Sequence, residues 1–170
     1  MHFNRWLRAQ LLFGCLIATI FIAGCARPTS GNALNSLKNE LWTGRMSLNI
    51  KSEPEQSFTA GFELKGRSER GELTLISPLG NVLGVLRWAP GAAELDSGNR
   101  NIQRFESVDA LMAQATGAAV PLAALFGWLQ GDNGTASGWT ADLSRQGEGR
   151  ILATRVQPLP QADLRVVLDR

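Results

Sequence analysis

Few residues in this sequence can do chemistry. Histidine occurs once, as His2, and cysteine twice, as Cys15 and Cys25. Ser-His-Asp and Cys-His catalysis both need an imidazole beside the nucleophile. A structural zinc site needs several thiolate or imidazole ligands. With His2 in an N-terminal leader, the remainder of the chain supplies neither, so no catalytic residue and no metal ligand is expected. The acids are scattered. Asp142 and Glu148 flank a predicted hairpin, where surface charge is the ordinary role, and no spacing marks a carboxylate pair for glycosidic cleavage. Gly131-Asp132-Asn133-Gly134 lacks the lysine and helix context of a phosphate loop and reads as a flexible loop. Asn133-Gly134-Thr135 matches a glycosylation acceptor by chance. No cofactor and no nucleotide site is expected.

The one side chain in a reactive context is Cys25. Met1 to Gln10 carries Arg5 and Arg8 and no acid, Leu11 to Ala23 is almost wholly apolar, and the run closes on Ile22-Ala23-Gly24-Cys25. Basic start, short apolar core and small residues describe a secretory signal; the run falls short of the roughly 20 residues that span a bilayer. Ile22-Ala23-Gly24-Cys25 resembles a bacterial lipobox. That resemblance implies cleavage before Cys25, a thioether-linked lipid on its sulfur and acylation of the new amino terminus. Leu12-Phe13-Gly14-Cys15 is a poorer box, too close to Arg8 and with a bulky Phe13. Cleavage would remove Cys15 and leave Cys25 blocked, so no disulfide is expected and stability must come from the core. Ala26, rather than an acid, follows the cysteine; by analogy with bacterial sorting this implies the outer membrane.

Arg5 and Arg8 leave with the signal, which accounts for the whole excess of 17 bases over 15 acids. The rest of the chain is balanced, with no basic field for nucleic acid or anionic lipid. The expected organisation is a signal peptide at 1–24, a lipidated N-terminus and tether at 25–32, and one domain at 33–170.

Within that domain the hydrophobic period changes. Leu34, Leu37 and Leu41 predict a short amphipathic helix over Ala33 to Leu41. Period two then sets in: Met46, Leu48 and Ile50; Phe58, Ala60, Phe62 and Leu64; Leu73 and Leu75. These are antiparallel strands with one wet face. Val82 to Trp88 is apolar on both faces and predicts a strand covered on both sides. Ala92–Leu95 and Asn101–Phe105 are shorter candidates. Ser107 is a plausible N-cap for a helix with Asp109 in its first turn, and Pro121 suits the start of another carrying Leu122, Leu125 and Trp128. Trp139–Leu143, Arg150–Val156 and Ala162–Leu168 return to alternation. Mainly β with helices, the chain is expected to curl into a barrel or strongly twisted sheet with its helices on the concave face. Trp42, Trp88, Trp128 and Trp139 either fill an ordinary core or line an apolar pocket.

One turn is unusual. Pro78-Leu79-Gly80 places a leucine where turns normally take Asn, Asp, Gly, Pro or Ser. Either Leu79 folds back into the core or it meets something apolar outside.

Several segments together resemble a known family. Trp42-Thr-Gly-Arg45-Met-Ser-Leu48, Phe58-Thr-Ala-Gly-Phe62-Glu-Leu64 and Gly71-Glu-Leu-Thr-Leu-Ile-Ser-Pro78-Leu79-Gly80 are similar to the outer-membrane lipoprotein receptors of lipoprotein localisation, the LolB family. So are Leu86-Arg-Trp88, Thr116-Gly117, Pro121-Leu-Ala-Ala-Leu125-Phe-Gly-Trp128-Leu-Gln-Gly131 and Gly138-Trp139. The resemblance implies an incomplete antiparallel β-barrel capped by short helices around an apolar cavity, and a receiver of lipoproteins rather than an enzyme. It implies three partners: a LolA-like periplasmic carrier, acylated lipoproteins, and outer-membrane lipid through Cys25. A periplasm-facing, lipid-anchored monomer is expected. Met46, Leu48, Phe58, Phe62, Leu73, Leu75, Leu86, Trp88, Leu125 and Trp128 are the candidates to line the cavity. The resemblance also favours an exposed Leu79, shaped by Pro78 and Gly80, that dips into the leaflet. Arg45 is a candidate to bond the cap, with a plain exposed charge as the alternative. The rival readings are a structural outer-membrane lipoprotein and a binder of another apolar ligand.

Overall fold

Two runs of strands separated by two helices make one antiparallel sheet. The computed structural model describes residues 41–98, 101–134 and 136–169. The first run is β1 Leu41–Lys51, β2 Gln56–Arg67, β3 Arg70–Ile76, β4 Val82–Ala89, β5 Ala92–Asp96 and β6 Ile102–Phe105. Helices α1 Val108–Thr116 and α2 Leu122–Gln130 follow, then β7 Trp139–Asp142, a short 3-10 turn at Gln146–Glu148, β8 Arg150–Arg155 and β9 Gln161–Leu168. Spatial order is β6-β5-β4-β3-β2-β1-β9-β8-β7. The last strand thus returns beside the first, with Met46 opposite Val166 and Leu48 opposite Leu164.

Register follows the hydrophobic alternation. Leu48, Ile50, Phe62, Leu64, Leu73, Leu86, Trp88, Ile151, Leu164 and Val166 are buried on the face that meets the helices. A slip of one residue would turn each of these strands inside out. α1 begins as its sequence indicates: the Ser107 hydroxyl accepts a 3.1 Å bond from the Ala110 N–H, and Gly117 ends it in the left-handed region. α2 starts at Pro121 and buries Leu122, Leu125, Phe126, Trp128 and Leu129. Each such side chain contributes roughly 1.5–3 kcal/mol on burial. α1 buries only Leu111 and Met112, so it is the more weakly seated of the two.

Two expectations need correction. Residues 33–40 of the predicted first helix lie outside the described residues, but Leu41 belongs to a strand: it pairs with Lys65, and Trp42 with Leu64. Ladder bonds to β2 decide the conformation there, over the helical spacing of the leucines. β4 is not covered on both faces. Gly84, Leu86 and Trp88 are buried, while Leu83 and Arg87 on the other face are exposed, because the helices lie on one face of the sheet only. Val82 is exposed as well, at the register shift where β4 begins.

Candidate functional site

Beneath the helices lies a small apolar cavity, mostly but not wholly closed. Its walls are Met46 and Leu48 of β1, Phe58 of β2, Leu73 and Leu75 of β3, Leu86 of β4, and Leu164 and Val166 of β9. Met112, Ala115 and Thr116 of α1, Val120 of the connection and Leu125 of α2 close it. Measured as room for the centre of a water-sized sphere, it holds about 30 Å³. That is space for about two water-sized groups. The lining offers no polar surface, so a water inside would forfeit its hydrogen bonds and an apolar group would lose nothing.

Seven of the ten expected lining residues meet here: Met46, Leu48, Phe58, Leu73, Leu75, Leu86 and Leu125. Phe62, Trp88 and Trp128 lie in the solid core instead. Phe126 explains much of this. Its ring meets Trp42 edge-on at a centroid distance of 5.4 Å and Trp88 at 6.3 Å. Trp88 also donates to the Arg67 carbonyl at 2.9 Å, and Trp128 to the Gly134 carbonyl at 3.1 Å. The Trp42 and Trp88 rings hold Phe126 of α2 against the sheet at the end where β1 begins and β4 ends, while Trp128 packs on Trp139 of β7. Sequence reasoning missed Met112, Ala115 and Thr116, whose spacing is helical, Val120 in the connection between the helices, and Leu164 and Val166, whose alternation gave a strand but no role.

The polar tie between cap and sheet is Arg155, not Arg45. Arg45 is exposed. Arg155 is buried, donates through Nη1 to the Ala118 carbonyl between the helices, and donates through Nε and Nη2 to the Pro160 carbonyl at 3.3 and 2.9 Å. Burial lowers its pKa from the ordinary arginine value, yet a guanidinium stays charged at any physiological pH.

At the β3–β4 hairpin, the Gly80 N–H bonds the Ser77 carbonyl at 2.9 Å and the Ser77 N–H bonds the Asn81 carbonyl at 2.8 Å. Gly80 takes φ +87°, which glycine adopts without steric cost. Leu79 at the tip is 89% exposed, with Val82 and Leu83 exposed behind it. No charged residue occurs from Ile76 to Leu86. Cys25 lies outside the described residues. Among the described residues, no cluster of His, Cys, Asp or Glu could hold a metal ion, and no helix is long and apolar enough to cross a membrane.

Fold and site together define a class: an incompletely closed antiparallel barrel whose short helices cap an apolar interior. Comparison with known proteins narrows this. The family profile described as outer membrane lipoprotein LolB matches residues 41–157. The chain is 35% identical over 158 residues to the outer-membrane lipoprotein LolB of Cupriavidus pinatubonensis, covering 91% of this chain and 74% of that protein. It is 31% identical over 145 residues to the protein of the same name from Cupriavidus metallidurans, covering 83% and 70%. With that of Bordetella petrii it shares 29% over 180 residues, covering 90% and 85%. The chain belongs to the outer-membrane lipoprotein LolB family. Membership makes it an outer-membrane lipoprotein of the lipoprotein-localisation pathway.

Proposed function

We propose that this protein is the receiving end of lipoprotein transport. It accepts acylated lipoproteins from a soluble LolA-like periplasmic carrier, houses their acyl chains in the apolar cavity and releases them into the outer membrane without ATP. The observation that carries this reading is an apolar cavity beneath two helices of unequal seating. Each exposed methylene costs about 0.8 kcal/mol, so three acyl chains in water cost tens of kcal/mol, and a receiver must offer them apolar walls. At about 30 Å³ the resting cavity is too small for acyl chains, so uptake requires α1 to lift while α2 stays held by the Trp42 and Trp88 rings against Phe126. Closing again over an empty site restores the apolar contacts that α1 gave up, which makes unloading favourable.

The lipid on Cys25 holds the domain at its destination, where the leaflet competes for the cargo by mass. Leu79 enters that leaflet and promotes release; Pro78 and Gly80 hold it at the tip. An uncharged turn that presents a leucine, with Val82 and Leu83 behind it, supports this role.

Depletion in the host tests the reading. Lipoproteins should accumulate on the soluble carrier, bound and undelivered. Normal sorting in depleted cells would overturn it.

A further inference from the structure

The small apolar cavity adjoins a more open cleft, and the two share walls. Leu48, Phe58, Ala115 and Thr116 line both. The cleft holds about 310 Å³ by the same measure as the cavity's 30 Å³. Gln56, Ser57 and Gln114 give it a polar rim. The surroundings therefore change from apolar to mixed across a single layer of side chains, and the largest of these is the Phe58 ring.

Three features make this the weak point of the wall. The β2–β3 ladder stops at Gly61–Ile76, so Gln56 to Ala60 pair with β1 alone. α1 ends here at Thr116, and its buried anchors, Leu111 and Met112, lie before the last turn. Phe58 itself is 37% exposed, so its ring can rotate outward without losing a full burial's worth of contacts. At the other end of the interior the rings of Trp42 and Trp88 pack edge-on against Phe126, and no cleft among the described residues there shares a wall with the cavity.

We propose that this boundary is the acyl portal and that Phe58 is its gate. The inference rests on the uptake of acyl chains proposed above. When the ring turns outward and the end of α1 lifts, cavity and cleft join into one channel. The location has a further meaning. In an antiparallel pair β2 begins where β3 ends, so the portal opens at the same strand end as the turn that carries Leu79. A chain leaving past Phe58 emerges on the rim that presents the exposed leucine.

The test uses the full lipidated chain in phospholipid vesicles and a LolA-like carrier loaded with a fluorescent tripalmitoylated lipopeptide. Phe58→Cys and Ala115→Cys are combined, which is practical because Cys15 and Cys25 are the only native cysteines. The pair is joined by a bifunctional maleimide with a reducible centre. The joined chain should lose at least tenfold in its acceleration of transfer to the vesicles, and reduction should restore it. Phe58→Ala should speed transfer several-fold and Phe58→Trp should slow it. Transfer at the wild-type rate by the joined chain would overturn the portal while leaving the receiver role intact. No acceleration by the wild-type chain would instead remove the receiver role.

Discussion

The Arg155 guanidinium lies over the Trp139 indole, 5.5 Å from the ring centroid. Among the described residues no carboxylate stands within ion-pair distance of it. Its charge is satisfied by the carbonyls of Ala118 and Pro160 and by the ring face. One side chain on β8 thereby ties the connection between the helices to the β8–β9 turn. Arg155→Met should cost about 2–3 kcal/mol, because charged hydrogen bonds are lost and buried acceptors are left without donors. Arg155→Lys keeps the charge but not the fork and should recover only part of this. Urea denaturation followed by tryptophan fluorescence measures both; equal stability of wild type and Arg155→Met would refute the clamp.

Leu79 separates stability from delivery. It is 89% exposed, so Leu79→Glu should change folding stability by no more than about 0.5 kcal/mol. Burial of a leucine in the leaflet contributes about 1.5–3 kcal/mol. Delivery from carrier to vesicle should therefore slow by roughly tenfold or more, with loading unchanged. Wild-type delivery by this variant would remove the membrane role of the turn.

Two glycines with positive φ should respond differently to alanine. Gly80 at φ +87° has open space around it, so Gly80→Ala costs only backbone strain, about 1 kcal/mol. Gly138 at φ +79° has the Gln157 carbonyl where a Cβ would stand. Strain and overlap together should cost about 3 kcal/mol or more there. Similar denaturation midpoints for the two variants would contradict the packing of Gly138 against the β8–β9 turn.

Much of this architecture was legible in the sequence. Alternation in Met46-Leu48-Ile50 and Leu164-Val166-Leu168, the Ser107 cap and Pro121 at the start of α2 all report local rules, and local rules held. The failures are positions where a distant partner decides. Leu41 reads as the end of a helix until β2 supplies a ladder partner. Leu83 reads as covered because an apolar residue carries no sign of which face meets the helices, and Val82 because alternation gives no sign of the register shift at the start of β4. Arg155 was invisible because its acceptors are backbone carbonyls, one of them 37 residues away. The cavity walls were partly legible for a related reason: alternation gives the face of a strand, but not how far along it the cavity runs, and Trp88 is taken up by Phe126 and Trp128 by Trp139.

A pH effect follows from Asp142. The backbone N–H of Ser144 bonds its carboxylate at 2.9 Å, and this bond, with help from the Ser144 hydroxyl, holds its pKa below the ordinary carboxylate value. A lowered folded pKa stabilises the fold above the unfolded value of about 3.9, and the benefit is lost as pH falls through the folded value. Wild type should thus be more stable than Asp142→Ala at pH 6, and the gap should shrink by pH 3. A gap independent of pH, read from urea midpoints, would show that ionisation is not the source.

Among the described residues the strand order runs from β6 to β7 without joining them, and the chain passes from one to the other through α1 and α2. A fully closed barrel behaves like a hoop: it cannot swell unless a ladder of backbone hydrogen bonds tears. Here the circumference has a seam, and the helices span it. Girth can increase by sliding apolar side chains past one another, with every ladder kept. If the proposed uptake holds, a container built this way would take in cargo of different bulk and return to its resting size when empty.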